Sequence, residues 1–260
     1  MDKIFRILVP FDFSEVAKEG LEYAVGFVGN RNDIEIMLCY VTEARDMEDL
    51  KSAFDKKQAL YINNLELPMS WVVQEGSLNA SILKIRETKN VDLIIMGTSG
   101  IKHFDNANTH TSELVLEADC PVLVVPHGNK GFKLENIALV LGPDKIEDSS
   151  ILSSLLEIAR RFNAKVHVLT IEKEGDTYGY SEVDEKNEDM LQYYLENFYK
   201  DHTLIKNEDL VEGVFSFAIK NNIDLISILP RNHSKISIPS SGSLTRELTV
   251  NSEIPILAIE

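Results

Sequence analysis

Short runs of apolar residues alternate along this chain with longer segments whose apolar positions recur at helical spacing. The first pattern is that of a strand and the second that of an amphipathic helix. In the first half they predict strands near 4–10, 34–41, 70–74, 91–96 and 121–125, and helices over 14–28, 46–65, 78–88 and 109–118. Ile7-Leu8-Val9 and Leu93-Ile94-Ile95 are apolar throughout instead of alternating with polar residues. Such strands are buried on both faces, as in a parallel sheet between layers of helices. Strand–helix alternation points to the same α/β architecture.

The second half repeats the first. Ile7-Leu8-Val9 returns as Ile137-Ala138-Leu139, and Leu21-Glu22-Tyr23-Ala24 as Leu156-Glu157-Ile158-Ala159. Val91-Asp92-Leu93-Ile94-Ile95 returns as Ile223-Asp224-Leu225-Ile226-Ser227, and Cys120-Pro121-Val122-Leu123 as Ile254-Pro255-Ile256-Leu257. The partners lie 130 to 135 residues apart. Spacing this constant over four anchors marks two copies of one domain, 1–128 and 132–260, joined near Gly128-Asn129-Lys130-Gly131. The second copy reads as strands near 137–141, 165–171, 203–206, 223–228 and 255–259, with a long helix over about 181–200. The acidic run 184–189 is expected as that helix's exposed start, where negative charge complements the helix dipole. The fold class is therefore α/β, as two tandem doubly wound domains, each with a five-stranded parallel sheet flanked by helices.

Charge narrows the partners. Lys and Arg number 26 against 42 Asp and Glu, a net charge of −16. A phosphate backbone is gripped by clustered Lys and Arg, so neither nucleic acid nor an anionic membrane surface is an expected partner. No stretch approaches the ~20 apolar residues of a spanning helix, and the N-terminus enters a strand without a secretory apolar region. The two cysteines, Cys39 and Cys120, each sit in an apolar run and read as buried free thiols. A cytoplasmic location is the expectation.

In a doubly wound sheet the ligand crevice lies beyond the carboxyl ends of the strands. The first copy places Pro10-Phe11-Asp12-Phe13-Ser14, Val41-Thr42 and Met96-Gly97-Thr98-Ser99-Gly100 there. Two glycines three apart after a buried strand let backbone N–H groups approach a phosphate. The next helix is expected to open around Asn108-Thr109, with its free N–H groups toward the same space.

These segments resemble the universal stress proteins in their tandem two-domain form, over essentially the whole chain. The resemblance rests on Ile7-Leu8-Val9-Pro10-Phe11-Asp12-Phe13-Ser14, on Asp92-Leu93-Ile94-Ile95-Met96-Gly97-Thr98-Ser99-Gly100 and on Cys120-Pro121-Val122-Leu123-Val124-Val125. It implies the adenine-nucleotide alpha-hydrolase-like fold and an ATP, ADP or AMP site in the first copy. Asp12 and Val41 would meet adenine and ribose, and Pro10 and Met96 belong to the same nucleotide site. Gly97, Gly100 and the helix start at Asn108 and Thr109 would hold phosphate. Asn108-Thr109 stands where nucleotide-binding members carry Gly-Ser, and only residues 101–107 separate it from Gly100, a phosphate loop two residues short. A shortened loop favours AMP or ADP over ATP.

The second copy is degenerate. Gly142 replaces Asp12, and Leu229-Pro230-Arg231-Asn232-His233 replaces the Met-Gly-x-x-Gly run. Gly242-Ser243 is retained and reads either as a plain helix start, Ser being a favoured N-cap, or as an anion site assisted by Arg231, His233 and Lys235.

Elsewhere chemistry is sparse. His103, Asp105 and His110 match no metal-ligand spacing, so no metal is expected, and His167 reads as a hydrogen-bonded strand residue. Trp71 and the Tyr193-Tyr194 pair read as packing residues. With no nucleophile elbow, zinc-protease helix or Walker lysine, no catalytic residue is assigned. Three functions remain: a cytoplasmic stress-response protein with a weak adenine-nucleotide site, acting as a sensor or interaction module; a member acting through protein partners or another small ligand; and, least favoured, an ATP-using enzyme.

The last strand of each copy, 121–125 and 255–259, is short, apolar and at a sheet edge, so it needs covering. The resemblance implies that these strands pair antiparallel in an intramolecular pseudo-dimer; association of whole chains into a homodimer has no residue-level signal for or against it. Val124→Glu is expected to lower the stability of both halves together, read by hydrogen exchange along the chain. Exchange that rises in the first half alone removes the pairing.

Overall fold

The computed structural model describes residues 5–42, 47–100, 109–142, 146, 149–172, 182–230 and 243–259. They fall into two compact units, one of residues 1–100 and 120–132, the other of residues 101–119 and 133–260. The first unit contains β1 (Phe5–Pro10), α1 (Glu15–Val28), β2 (Ile34–Val41), α2 (Met47–Tyr61), β3 (Ser70–Gln74), α3 (Leu78–Lys89), β4 (Leu93–Thr98) and β5 (Val122–Pro126). Its strands lie in the order β3-β2-β1-β4-β5, and the pairs are all parallel. Ile7, Leu8, Ile94, Ile95 and Leu123 are fully buried, as expected of strands covered on both faces.

The second unit contains α4 (His110–Glu117), β6 (Asn136–Leu141), α5 (Leu152–Phe162), β7 (Lys165–Glu172), α6 (Glu182–Leu195), β8 (Tyr199–Lys206), α7 (Leu210–Lys220), β9 (Leu225–Ile228), α8 (Ser243–Asn251) and β10 (Ile256–Ala258). Its strands are ordered β8-β7-β6-β9-β10, again all parallel. The order matches that of the first unit position by position, so the sequence repeat is a structural repeat. The compact units depart from the repeat at α4, which precedes β5 in the chain yet packs on α8. Leu114 and Val115 form its buried stripe.

Helix ends follow local chemistry. α1 stops at Gly29, α3 at Asn90 and α5 at Asn163, whose φ of 56°, 50° and 52° are left-handed values that Gly and Asn adopt at least cost. α7 begins at Asp209, whose Oδ1 accepts from the N–H groups of Val211 and Glu212. Such a cap contributes about 1 kcal/mol. The connection between the copies is clipped along α1 and is not a loose tether. Glu19 accepts from the Gly128 N–H and bonds His127 Nδ1 at 3.0 Å. Phe132 packs edge-on against Tyr23 and Phe27.

Three expectations shift. The helix expected over 181–200 ends at Leu195, because Glu196 turns to a φ of 50° and a short 3-10 turn leads into β8 at Tyr199. Within the acidic run 184–189, Asp184 and Asn187 are buried instead of solvated, and Asn187 Oδ1 accepts from the Ile146 N–H at 3.0 Å. The strand expected at 91–96 runs 93–98, since Gly97 and Thr98 pair with Val125 and Pro126 while Val91-Asp92 serves as its lead-in.

That lead-in explains the Asp shared by both copies. Asp92 Oδ2 accepts from the Arg6 N–H at 2.9 Å. Asp224 Oδ2 accepts from the N–H groups of Glu135 and Asn136 at 2.8 and 3.0 Å, while its Oδ1 bonds Lys133 Nζ at 3.0 Å. Each carboxylate thus pins the start of the neighbouring central strand, at the end of the sheet away from the crevice. Hydrogen bonds to a charged group contribute about 1.5–3 kcal/mol each. Asp224→Ala is therefore expected to destabilise the second unit by roughly 2 kcal/mol in urea unfolding, and Asp92→Ala to act likewise on the first.

Candidate functional site

In each unit the direction of strand connection reverses between the first strand and the fourth, so a crevice opens at their carboxyl ends. In the first unit, β1 runs past Pro10 by one more ladder bond, from the Phe11 N–H to the Cys39 carbonyl at 2.8 Å. The chain then turns sharply. Asp12 is exposed, and its Oδ1 accepts from the Ser14 N–H at 3.0 Å. Ser14 caps α1, its Oγ accepting from the Ala17 N–H at 3.2 Å. Among the described residues the second carboxylate oxygen of Asp12 has no protein partner.

Between these two residues Phe13 adopts φ 66°. A bulky side chain in the left-handed region costs about 1–2 kcal/mol, and ring packing holds it there. Phe13 meets Phe11 at 5.0 Å, Phe54 at 5.1 Å and Tyr40 at 5.9 Å between centroids. Phe54, from α2, stacks flat on Trp71 at 5.0 Å, and the Lys57 ammonium stands 5.6 Å from the Phe11 ring centre. Trp71 is a packing residue, as expected. The cluster itself escaped the sequence reading; its trace is the pair of phenylalanines flanking Asp12.

Val41 closes β2 half-buried, in register with Gln74, and Met96 is buried within β4 opposite Val124. Gly97 has a reason unrelated to any ligand: a Cβ there would overlap the Val16 carbonyl of α1. Reciprocally, a Cβ on Gly20 would come within 2.7 Å of the Gly97 nitrogen. Gly100 adopts φ 67°, and its N–H donates to Thr98 Oγ1 at 3.3 Å. Thr109 caps α4: its Oγ1 accepts from the Ser112 N–H at 3.1 Å, and its own N–H donates to Ser112 Oγ at 2.9 Å. It belongs to the second unit. Pro10, Asp12, Val41, Met96, Gly97 and Gly100 thus gather at the carboxyl ends of β1, β2 and β4, while Asn108 lies outside the described residues.

The second copy fills the corresponding place differently. Strand register makes His202 the counterpart of Trp71 and Thr170 that of Tyr40. His202 Nε2 and Thr170 Oγ1 share a hydrogen bond of 2.9 Å, and His202 Nδ1 stands 3.6 Å from Glu188. Glu188 also accepts from the Tyr199 hydroxyl at 2.9 Å. Burial, and then this contact with a carboxylate, push the Tyr199 phenol up to about 12. His167, expected as a hydrogen-bonded strand residue, bonds Asp201 through Nδ1 at 3.0 Å. Ser243 opens α8, whereas Arg231, His233, Lys235 and Gly242 lie outside the described residues. Tyr193, expected to pack, is largely exposed. Cys39 and Cys120 are buried free thiols, and burial raises Cys39 to about 12. Among the described residues no group of three His, Cys, Asp or Glu side chains is placed to hold a metal ion, and no helix is long and apolar enough to cross a membrane.

Comparison with known proteins gives this geometry its context. The model of the universal stress protein family matches residues 3–126, the whole run from β1 to β5. Residues 3–126 thus form a domain of the universal stress protein family. Over both copies it is similar to a universal stress protein from Archaeoglobus fulgidus DSM 4304, with 18% identity, TM-score 0.65 and 97% of each chain covered. It is also similar to a putative universal stress protein from Pseudomonas aeruginosa UCBPP-PA14, at 16% identity and TM-score 0.61, over 98% of this chain and 92% of that one. The cytoplasmic domain of a prokaryotic cation chloride cotransporter shares the fold at 11% identity and TM-score 0.57, over 99% and 95% of the two chains. No curated protein matches the chain significantly. The tandem α/β architecture is thus common to this chain and to full-length neighbours.

The two glycines of the β4 loop are expected to separate by experiment. Gly97→Ala forces backbone apart and should cost about 2–3 kcal/mol in denaturant without any ligand present. Gly100→Ala carries the cost of its positive φ, about 1 kcal/mol. Equal and negligible losses would remove the packing account of Gly97.

Proposed function

We propose that this stress-response protein works in the cytoplasm as a sensor or interaction module that binds an adenine nucleotide weakly, at one site in its first copy. The observation that carries the reading is Asp12, exposed at the switch point between β1 and β4, with one oxygen committed to the turn and the other without a protein partner among the described residues. A carboxylate so placed can accept from ribose hydroxyls or from the adenine amino group, each bond contributing about 1.5–3 kcal/mol. Val41 closes β2, the strand paired with β1, and Gly100 turns the chain after β4 at a φ of 67°. The sequence resemblance assigns phosphate contacts to Asn108 and Thr109 as well. In the second copy Gly142 replaces Asp12 and Pro230 removes an N–H, which leaves Gly242 and Ser243 as a lesser anion site.

A second reading has a specific observation behind it. Gly97 is accounted for by packing on α1, so its presence does not require a phosphate. The fold is also shared with the cytoplasmic domain of a cation chloride cotransporter. A module acting through protein partners or another small ligand fits both facts. An ATP-using enzyme fits least, because the crevice segments offer Asp12 and no base, nucleophile or metal-binding pair beside it.

Calorimetry with AMP, ADP and ATP separates these readings. One weak site is expected, with ATP no tighter than AMP or ADP, weakened about tenfold by Asp12→Ala through loss of a charged hydrogen bond and abolished by Gly100→Val. Ser243→Ala should leave it unchanged. Binding that survives the first two changes and disappears with Ser243→Ala moves the site to the second copy.

A further inference from the structure

We infer that the first-copy crevice reads its ligand through a planar heteroaromatic ring set against Phe13, and that the ring supplies most of the affinity, so that a nucleoside without phosphate binds at least as well as its nucleotides. This rests on the adenine reading above and specifies which part of the ligand is recognised.

Three independent observations converge on the ring. Phe13 is held at φ 66° by contacts with Phe11, Tyr40 and Phe54, yet it remains 36% exposed beside Asp12. The fold therefore supports an aromatic side chain in a strained conformation and leaves part of it facing water, an arrangement concentrated at ligand sites. Next to it, the uncommitted oxygen of Asp12 is an acceptor for a donor on the edge of a ring. Stacking on an aromatic side chain and a carboxylate hydrogen bond together suit a planar ring bearing N–H groups.

Charge argues against phosphate as the main handle. Across residues 10–14, 40–42 and 96–100 the one charged side chain is that of Asp12, in a chain of net charge −16. Each added phosphate charge meets a like field, and the cation near the aromatic cluster, Lys57, stands over the Phe11 ring, 5.6 Å from its centre. The second copy lacks the ring as well as the acid, since Gly142-Pro143 stands in place of Asp12-Phe13. Its counterparts of Trp71 and Tyr40 are His202 and Thr170, bonded to each other.

Titration of the full chain with adenosine, AMP, ATP and ribose 5-phosphate tests this. The single tryptophan, Trp71, reports through Phe54, which touches Phe13. Adenosine and AMP are expected to bind with similar affinity, ATP about tenfold more weakly, and ribose 5-phosphate without measurable heat. Phe13→Leu should weaken adenosine about tenfold or more through loss of stacking, while Phe13→Tyr, which keeps a ring, retains binding and shows that the fold is intact. Ribose 5-phosphate as tight as AMP, adenosine binding unchanged in Phe13→Leu, or no adenosine binding overturns the inference. AMP binding abolished by Gly100→Val but untouched by Phe13→Leu sinks the ring and leaves the nucleotide reading standing. Phe13-dependent adenosine binding without any response to AMP, ADP or ATP does the reverse.

Discussion

The backbone of α1 lies directly against the backbone of β4, and the geometry of the first unit follows from that contact. Gly20 on the helix and Gly97 on the strand each lack the Cβ that would keep the two apart, and Val16 presents its carbonyl to the gap. Helix and strand normally meet through side chains; here the separation is smaller because no side chain intervenes. α1 is thereby fixed in depth over the sheet, and with it the turn that feeds the helix. The positions of Asp12, Phe13 and Ser14 are thus consequences of packing between two glycines. The same contact gives Gly97 a role that any member with this packing would share, whether or not it binds phosphate.

The two ends of the sheet do different work. At the amino ends, Asp92 and Asp224 satisfy backbone N–H groups at the starts of β1 and β6. These interactions occur in both copies because both sheets face the same need. At the carboxyl ends the copies diverge. The first has an aromatic cluster, Phe11, Phe13, Tyr40, Phe54 and Trp71, whose members hold one another and leave Phe13 partly exposed. The second has Thr170, His202, Glu188 and Tyr199 linked by polar contacts. A buried polar group demands a partner: Thr170 and His202 Nε2 supply each other, and Glu188 holds the Tyr199 hydroxyl. These groups are turned to one another, whereas a half-exposed ring beside an uncommitted carboxylate is suited to a ligand. Divergence at one end and retention at the other is the pattern expected when one copy keeps a site and the other keeps the scaffold.

The match of the first copy to the universal stress protein family constrains these ideas without deciding them. The family model covers the first copy, where the acid, the aromatic turn and the left-handed glycine are found. Likeness over the whole chain at 11–18% identity establishes architecture, and a fold of this kind hosts unrelated roles. What distinguishes this chain must therefore come from particular residues: a turn with one carboxylate oxygen to spare, a strained ring, and a crevice whose own charge is negative.

Much of this was legible in the sequence because it depends on local pattern. Strands that are apolar on every residue announce a sheet buried on both faces, four matched anchors announce a repeat, and Asp12 and Gly100 fall after strands where a doubly wound sheet puts its crevice. Other features depend on what a residue meets across the fold, which spacing does not encode. The burial of Asn187 within an acidic run drew on the Ile146 N–H, some forty residues away, as partner. The end of α6 was set by a left-handed Glu196, a residue with no helix-stopping signature of its own. The aromatic cluster drew its rings from two strands, a turn and α2, so no single segment revealed it. The packing role of Gly97 became visible once α1 lay on β4, because a missing Cβ has meaning in terms of the atoms that occupy its place. Sequence determined the elements, their repeat and the location of the crevice through the periodicity of burial; tertiary structure alone decided which groups in that crevice are already satisfied and which remain available, because hydrogen bonds and ring contacts are made between segments far apart in the chain.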